Sequence, residues 1–230
     1  MTRIAGGGVS ARNPFGPTWS SRAEQAKSVG DQVQLTLFGR NKPKKLDIED
    51  METDRLMAMM HAWRKKIVRI AGEDPDTYKL TLAASTIAMI DQDGLIYIGK
   101  AFLHAHKDAH PVLVGVLAHE IGHRPKRWQE YRNSQPLNKK EMEALCRTEE
   151  TRADYFSGFA LGELGLPCTP LMDFLKSVST TPHPEYFPVH MRADVISEGH
   201  EHGKRKSLNR KKFFPELAKM MSADRDLGEG

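Results

Sequence analysis

The sequence predicts an α+β fold that is mostly helical, with a small mixed β-sheet preceding the helix that carries the most reactive side chains. Apolar residues recur with helical spacing in several long segments. A run rich in Leu, Ile and Thr, followed by the turn Asp93-Gly94, is typical of short strands joined by a hairpin. The third observation is a histidine pair, His119 and His123, at the end of a strongly apolar stretch.

Length and local composition indicate one folded unit with two flanking segments. The 230 residues, 39% of them hydrophobic, suffice for one sizeable core. Residues 1–45 are rich in Gly, Ser, Pro and Arg, so we expect an irregular N-terminal arm. We predict the folded domain over residues 46–198 and a basic C-terminal tail with a short helix over residues 199–230.

Charge and cysteine content narrow the class of protein. The 34 basic residues nearly balance 30 acidic ones, so the net charge of +4 creates no global field that favours nucleic acid. Cys146 and Cys168 are too few for a secreted disulfide framework. The sequence shows no signal peptide and no apolar run of about 18 residues. We therefore expect a soluble, cytoplasmic protein without an integral membrane segment.

The first half of the domain should contain a helix and then the sheet. Residues 47–71 show an amphipathic pattern, with Asp47 as the predicted cap and Gly72 as the stop. Residues 78–98 should form two or three strands with a hairpin at Asp93-Gly94. An earlier alternating run at residues 33–38 could add an edge strand.

Two helices are predicted next. Residues 100–107 fit a short helix, on which His104 and His106 should face solvent. Pro111 is well placed in the first turn of a second helix, which is apolar on all sides and therefore buried. This buried helix ends in the sequence His119-Glu120-Ile121-Gly122-His123.

The spacing within that sequence predicts a metal site. Two histidines four residues apart lie on one helical face, with Cβ atoms about 5–6 Å apart, so both can reach one metal ion. Glu120 projects beside that face, where it can take a proton from water without binding the metal. Unpaired polar groups are costly in a buried helix, and a metal beside a water-filled cleft would satisfy His119, Glu120 and His123 together.

The following helix, predicted over residues 138–164, supplies a candidate third ligand. A carboxylate, Glu149 or Glu150, falls on its apolar stripe, and two histidines plus one glutamate are a known ligand set for catalytic zinc. Glu150 is the candidate, and Asp154 on the same face could hydrogen-bond a metal-bound histidine. In the alternative interpretation, both glutamates pair with neighbouring arginines on a solvated face.

These motifs resemble those of a protease family. Leu95-Ile-Tyr-Ile-Gly99, then Val116-Leu-Ala-His-Glu-Ile-Gly-His123 and Glu150-Thr-Arg-Ala-Asp154, are similar to the CAAX-prenyl-protease and HtpX type of gluzincin zinc metallopeptidase. The resemblance covers about residues 48–198. It implies a zincin-like metallopeptidase domain with one catalytic Zn²⁺ ion. It also implies endopeptidase activity on a protein or peptide substrate.

Carried over residue by residue, the resemblance assigns a role to each motif position. His119, His123 and Glu150 would bind zinc, Glu120 would be the general base, and Asp154 would support a zinc ligand. The segment Ser179-Thr-Thr-Pro-His183-Pro184 is similar to a late element of the family and is followed by Arg192. The resemblance therefore makes His183 a candidate stabiliser of the oxyanion, and it makes Arg192 a structural or site-organising cation.

Two departures from that family leave an alternative open. Many members have transmembrane helices, which this sequence lacks, so membrane-protein processing is not implied. The short interval between His123 and Glu150 also resembles the ImmA/IrrE type of regulatory protease, which would cleave a repressor or similar partner.

Two further hypotheses concern the flanking segments. The basic run at residues 204–212 could bind nucleic acid or an acidic partner beside an inert metal site, although a solvated tail is the favoured interpretation. The N-terminal arm could inhibit the protein by covering the cleft, or a regulatory partner could do so. Cys146, one turn before Glu150, could contribute to latency, but a small core residue is its ordinary role.

Overall fold

The computed structural model describes residues 32, 42–91, 93–124, 135–179 and 186–213. This part of the chain forms an α+β domain of six helices and one three-stranded mixed sheet, as the sequence predicts. The elements in chain order are α1 (Met51–Ile70), β1 (Lys79–Ala83), β2 (Ala88–Ile90), β3 (Leu95–Gly99), α2 (Lys100–Ala105), α3 (His110–Gly122), α4 (Lys139–Leu164), α5 (Thr169–Val178) and α6 (Val189–Phe213).

The sheet has the strand order β1-β3-β2. Strand β3 pairs in parallel with β1 and antiparallel with β2, and the predicted hairpin at Asp93-Gly94 joins β2 to β3. Asp91 stabilises the turn, because its Oδ1 accepts hydrogen bonds from the N–H groups of Asp93 and Leu95. Gly94 has a φ of +79° and sits so close to Thr77 that a Cβ atom would lie 2.9 Å from its carbonyl oxygen.

The two edges of the sheet differ in their surroundings. Residues 42–46 run along the outer edge of β1. Leu46 N–H donates to Leu82 O at 3.0 Å, and Ala84 N–H donates to Lys44 O at 2.9 Å. At the opposite edge, β2 pairs with no further strand among the described residues. Within the described part of the chain, the antiparallel edge beside helix α3 is therefore the one without a neighbouring segment.

Helix α1 begins later than the sequence analysis predicts. Asp47 was the expected cap, but the cap is Asp50, whose two carboxylate oxygens accept from the N–H and the hydroxyl of Thr53 at 2.7 and 2.8 Å. Lys100 also donates to this carboxylate at 3.1 Å. The prediction of Asp47 was wrong because contacts with α2 and with Thr53 select Asp50 among the nearby acids.

Helix α3 occupies the centre of the core, as its sequence predicts. All its residues from Val112 to Gly122 are buried, and it packs against α1, α4, α5 and β2. Pro111 lies in its first turn, where the missing N–H costs no helical hydrogen bond. The histidine pair therefore stands at the end of the most deeply buried helix of the described chain.

The histidines of α2 do not face solvent as predicted. His104 Nε2 lies 2.8 Å from the hydroxyl of Thr53, in α1. The His106 ring packs against Phe102 and Phe174 with centroid separations of 4.9 and 5.0 Å. The prediction was wrong because two other helices, α1 and α5, cover the two sides of this short helix.

Helix α4 matches its predicted range. Asn138 caps α4 and forms a reciprocal capping box with Glu141. Five residues of the predicted N-terminal arm are described, namely Gln32 and residues 42–45 beside β1. Gln32 is buried, and its side-chain amide exchanges two hydrogen bonds with the main chain of Leu137, just before the cap. The predicted strand at residues 33–38 lies outside the described residues.

Helix α6 crosses the boundary that the sequence analysis sets at residue 198. Residues 199–213 continue the helix. The prediction that a separate tail begins at residue 199 is therefore corrected for this part of the chain. The physical reason is close packing between α4 and α6, which lie side by side and run in the same direction. A Cβ atom at Gly158 would lie 1.9 Å from Ile196 O, and one at Gly199 would lie 2.2 Å from Tyr155 O. Gly162 and Gly203 repeat the contact one turn later.

The described helices include none with the length and apolar character that crossing a membrane requires. This agrees with the absence of a long apolar run in the sequence.

We expect Gly158→Ala to lower the free energy of unfolding by about 2–4 kcal/mol, because the added methyl group meets rigid main chain of α6. Gly115→Ala in α3 is the matched control. Its methyl group meets the flexible Leu171 side chain, and alanine adds ~1 kcal/mol of helix propensity. Urea denaturation of both variants measures the difference, and equal stabilities would contradict the proposed role of the glycine contacts.

Candidate metal centre

The last turn of α3 places two imidazole rings side by side. His119 and His123 are 4% and 5% exposed, and their ring centroids lie 4.9 Å apart in an edge-on arrangement. Residues four apart on a helix share a face, so the close approach follows directly from the sequence spacing. Burial of both rings removes them from bulk water and directs them towards the neighbouring helix α4.

Helix α4 brings a carboxylate to both histidines. The Nε2 atoms of His119 and His123 lie 3.3 and 3.7 Å from the two carboxylate oxygens of Glu150. One potential ligand atom from each residue falls within 4.8 Å of the other two. Gly122 permits this approach of the helices, because a Cβ atom there would lie 2.9 Å from the Cα of Ala153.

The three side chains fit the requirements of a bound metal ion. Ligands at 2.0–2.2 Å around a tetrahedral ion are separated by ~3.3–3.5 Å, close to the spacing of these atoms. Charge also fits when both histidines are neutral, as metal ligands must be. Ionised Glu120, Glu150 and Asp154 together with Arg192 then leave a formal excess of two negative charges, which a divalent cation would offset. The triad of His119, His123 and Glu150 could therefore hold a metal ion.

The structure separates the two glutamates that the sequence analysis could not fully distinguish. Both are buried, so the alternative of a solvated glutamate pair is wrong. Glu149 accepts a hydrogen bond from Arg152, three residues along the same helix, whereas Glu150 faces the histidines. Adjacent residues on a helix point about 100° apart, and the position of α3 determines which of the two reaches the site.

Asp154 lies behind the histidine pair, in the place that the sequence predicts. His119 Nδ1 is 3.0 Å from Asp154 Oδ1, which leaves His119 Nε2 on the side of Glu150. Arg192 of α6 donates two hydrogen bonds to the same carboxylate, from Nε at 2.7 Å and from Nη2 at 2.9 Å. The ring of Tyr186 covers the guanidinium, 4.6 Å away. Arg192 thus contacts the carboxylate that lies next to His119.

This contact pattern changes the protonation of the metal-free groups. Burial lowers the pKa of His119, but hydrogen bonds and charge interactions with Asp154 and Glu150 outweigh it and raise the pKa to about 10. Burial raises the pKa of Asp154, yet the charge of Arg192 and the bond to His119 dominate, and the pKa falls to about 2. Asp154 is therefore a carboxylate, and His119 carries a proton in the metal-free protein at neutral pH.

Glu120 lies beside the triad and contacts the sheet. Its side chain is buried, and its Oε2 accepts a hydrogen bond from the main-chain N–H of Ile90 in β2 at 2.9 Å. Burial raises the pKa of Glu120 to about 7, with His119 opposing that rise. A carboxyl group with this pKa can both accept and return a proton near neutral pH.

Some predicted site residues lie outside this arrangement, and other groups were missed. His183 lies outside the described residues. The Cys146 side chain is fully buried in the core, in keeping with its ordinary structural role. Sequence analysis did not identify the Ile90 N–H or Tyr186. Every residue but proline carries a main-chain donor, so no sequence signal marks Ile90, and only the proximity of Tyr186 to Arg192 hints at its contact.

Comparison with known proteins adds no relative to this description. The chain matches no family model, no curated protein and no solved structure. What the site can do must therefore be argued from its own geometry and from the resemblance of its motifs.

We expect Glu150→Gln to weaken zinc binding by at least tenfold, because an amide oxygen is a poorer ligand than a carboxylate. Glu149→Gln is the matched control and should bind zinc like the wild type, because Glu149 pairs with Arg152. Competition with a chromogenic chelator measures both affinities. Weaker binding by the Glu149 variant alone would reassign the third ligand.

Zinc binding should release the proton that His119 carries between about pH 7 and 9. The metal requires the neutral ring, so affinity should fall as pH falls below the raised pKa of about 10. Asp154→Asn removes a cause of the raised pKa and should reduce the number of protons released. Calorimetry at pH 8 in two buffers with different ionisation enthalpies counts the protons. Equal release from both proteins would contradict the role of Asp154.

Proposed function

We propose that the protein is a zinc-dependent endopeptidase that hydrolyses peptide bonds of a protein substrate. The observation that carries the proposal is the convergence of His119, His123 and Glu150, with the carboxylate of Glu120 on the adjacent side of α3. This ligand set leaves a coordination position open for water or substrate, as catalytic zinc sites require. The likeness of the motifs to HtpX-type gluzincins supports the same activity and a zincin-like fold.

The chain's own residues would divide the chemistry between them. Zinc bound by the triad would lower the pKa of water towards ~7 and polarise the scissile carbonyl. Glu120 would take a proton from the attacking water and deliver it to the leaving amine, so that one water and one peptide bond yield a carboxylate and an amine. Asp154 and Arg192 would hold His119 in its ligating orientation. His183 remains the candidate oxyanion stabiliser that the resemblance implies.

The open edge of the sheet suggests how substrate would bind. Residues 42–46 cover β1, whereas β2 lies next to Glu120 and pairs with no further strand in the described chain. An extended substrate segment could add to β2 through main-chain hydrogen bonds. Such binding would accept a flexible segment of many proteins, with side-chain pockets setting the preference.

The alternatives from the sequence differ in how the structure bears on them. A regulatory protease of the ImmA/IrrE type would use the same chemistry on a repressor, so it differs in substrate rather than in site. A nucleic-acid-binding role gains no support from α6. Lys204 pairs with Glu201, and Lys206 and Arg210 both pair with Glu163, so these side chains already have acidic partners. We therefore retain the protease proposal.

We expect Glu120→Gln to retain zinc and to lose cleavage by about 10²–10⁴-fold, because the amide cannot accept the proton. The purified zinc-loaded proteins are incubated with a peptide library made from a proteome digest, and new termini are identified by mass spectrometry. Glu149→Gln, with its pairing to Arg152, serves as the control for a neighbouring change of the same kind. Equal cleavage by the wild type and the Glu120 variant would disprove this assignment.

A further inference from the structure

The hydrogen-bond register of β2 determines which of its main-chain groups face outward. Asp91 N–H donates to Leu95 O at 2.9 Å, and the carbonyl of Ile87 accepts a bond of the same length from β3. In an antiparallel pair, alternate residues bond to the partner strand. The main-chain groups of Ala88 and Ile90 therefore point away from β3, to the open edge of the sheet.

One of these outward donors is already occupied by Glu120. The Ile90 N–H and Glu120 Oε2 are 2.9 Å apart, and the two residues are 1% and 4% exposed. A hydrogen bond from a fixed main-chain donor to a buried carboxylate is strong, because little water reaches the site to compete for either group. A donor fixed on Oε2 also determines where the second oxygen, Oε1, is directed.

We propose that the main-chain N–H of Ile90 is the positioning group for Glu120, and that β2 thereby divides its open edge between two tasks. Ile90 N–H holds the general base, and the main chain of Ala88 binds an extended substrate through its N–H and through its C=O, which also accepts from the Thr86 hydroxyl at 3.3 Å. This inference rests on the proposed peptidase function. It adds that substrate segments hydrogen-bond at Ala88 and do not displace Glu120 from Ile90.

Glu120 can act as a general base only if its side chain is held in one position. A glutamate side chain has three rotatable bonds, and a general base must stay within hydrogen-bond reach of the proton that it takes. Displacement by about 1 Å can reduce the rate 10²-fold. The Ile90 N–H belongs to a strand that is bonded to β3 on its other side, so its position is fixed by the sheet. Glu120 is thus tied to the same element that would align the scissile bond.

Two proline variants separate the tasks. Proline removes an N–H, and at Ile90 and Ala88 this leaves the hydrogen bonds to β3 in place, because both N–H groups point away from that strand. With a peptide from the library as substrate, Ile90→Pro should lower kcat at least tenfold with little change in KM. Ala88→Pro should raise KM several-fold and retain most of kcat. A wild-type kcat for Ile90→Pro, or a loss confined to KM, would overturn the proposal.

A second measurement decides the contact without any substrate. In ¹H–¹⁵N spectra of the zinc-loaded protein, Glu120→Ala should shift the Ile90 amide proton upfield and speed its exchange, with the Ala88 amide as the reference. An Ile90 amide that does not respond would refute the positioning contact. If it responds but the wild type cleaves no library peptide, the peptidase function fails and the division of the β2 edge fails with it.

Amide-to-ester replacement covers the case in which a proline variant does not fold. Placed at Ile90 or at Ala88, the ester removes one outward N–H and weakens one inward carbonyl, so the two variants are matched. The ester at Ile90 should reproduce the loss of kcat, and the ester at Ala88 should reproduce the rise in KM. Indistinguishable effects at the two positions would overturn the division of tasks.

Discussion

The carboxylate of Asp154 joins three helices at one point. It accepts two hydrogen bonds from Arg192 in α6, and it lies 3.0 Å from His119 Nδ1 in α3, while its own residue belongs to α4. Removal of a buried carboxylate from water is costly unless charge and hydrogen bonds compensate for it. The side chains of Asp154, Arg192 and His119 therefore satisfy one another only when the three helices are packed together. This packing also sets the positions of the candidate metal ligands.

The glycine contacts between α4 and α6 make this junction possible. Gly158 lies one turn after Asp154, and Gly199 lies about two turns after Arg192, so the closest approach of the helices follows directly on the ion pair. A pair of larger residues would hold the helices further apart and lengthen the bonds to the guanidinium. At the other end of the contact, Glu163 pairs with Lys206 and Arg210 and anchors the same two helices. Packing and electrostatics thus set the same helix separation.

The sheet contributes to the site through its main chain. Strand β2 is short, but it lies between β3 on one side and Glu120 on the other. Alternate residues of β2 therefore bond to β3, and the Ile90 N–H, which points the other way, bonds to Glu120. The covering of β1 by residues 42–46 leaves β2 as the edge available for a further strand. In the proposed peptidase, the same strand would hold the general base and align the substrate.

The sequence by itself determined where most of the helices lie and which side chains are candidates for the site. The spacing of His119 and His123, the capping box at Asn138 and the buried pattern of α3 are local properties, because helical periodicity and caps act within a few residues. The choice of Asp50 over Asp47 as a cap and the packing of the half-buried His106 ring depended on contacts with distant elements. Such contacts leave no periodic signal.

Tertiary structure alone decided the rest of the site. The sequence names Glu150 as the candidate third ligand, but the position of α3 against α4 is what turns Glu150, and not Glu149, towards the histidines. Close packing against α4 extends helix α6 beyond residue 198, where the polar, basic sequence predicts a tail. The hydrogen bond from the Ile90 N–H to Glu120 depends on the register of β2. Nearly every residue type has a main-chain N–H, so the sequence cannot indicate which one makes such a bond.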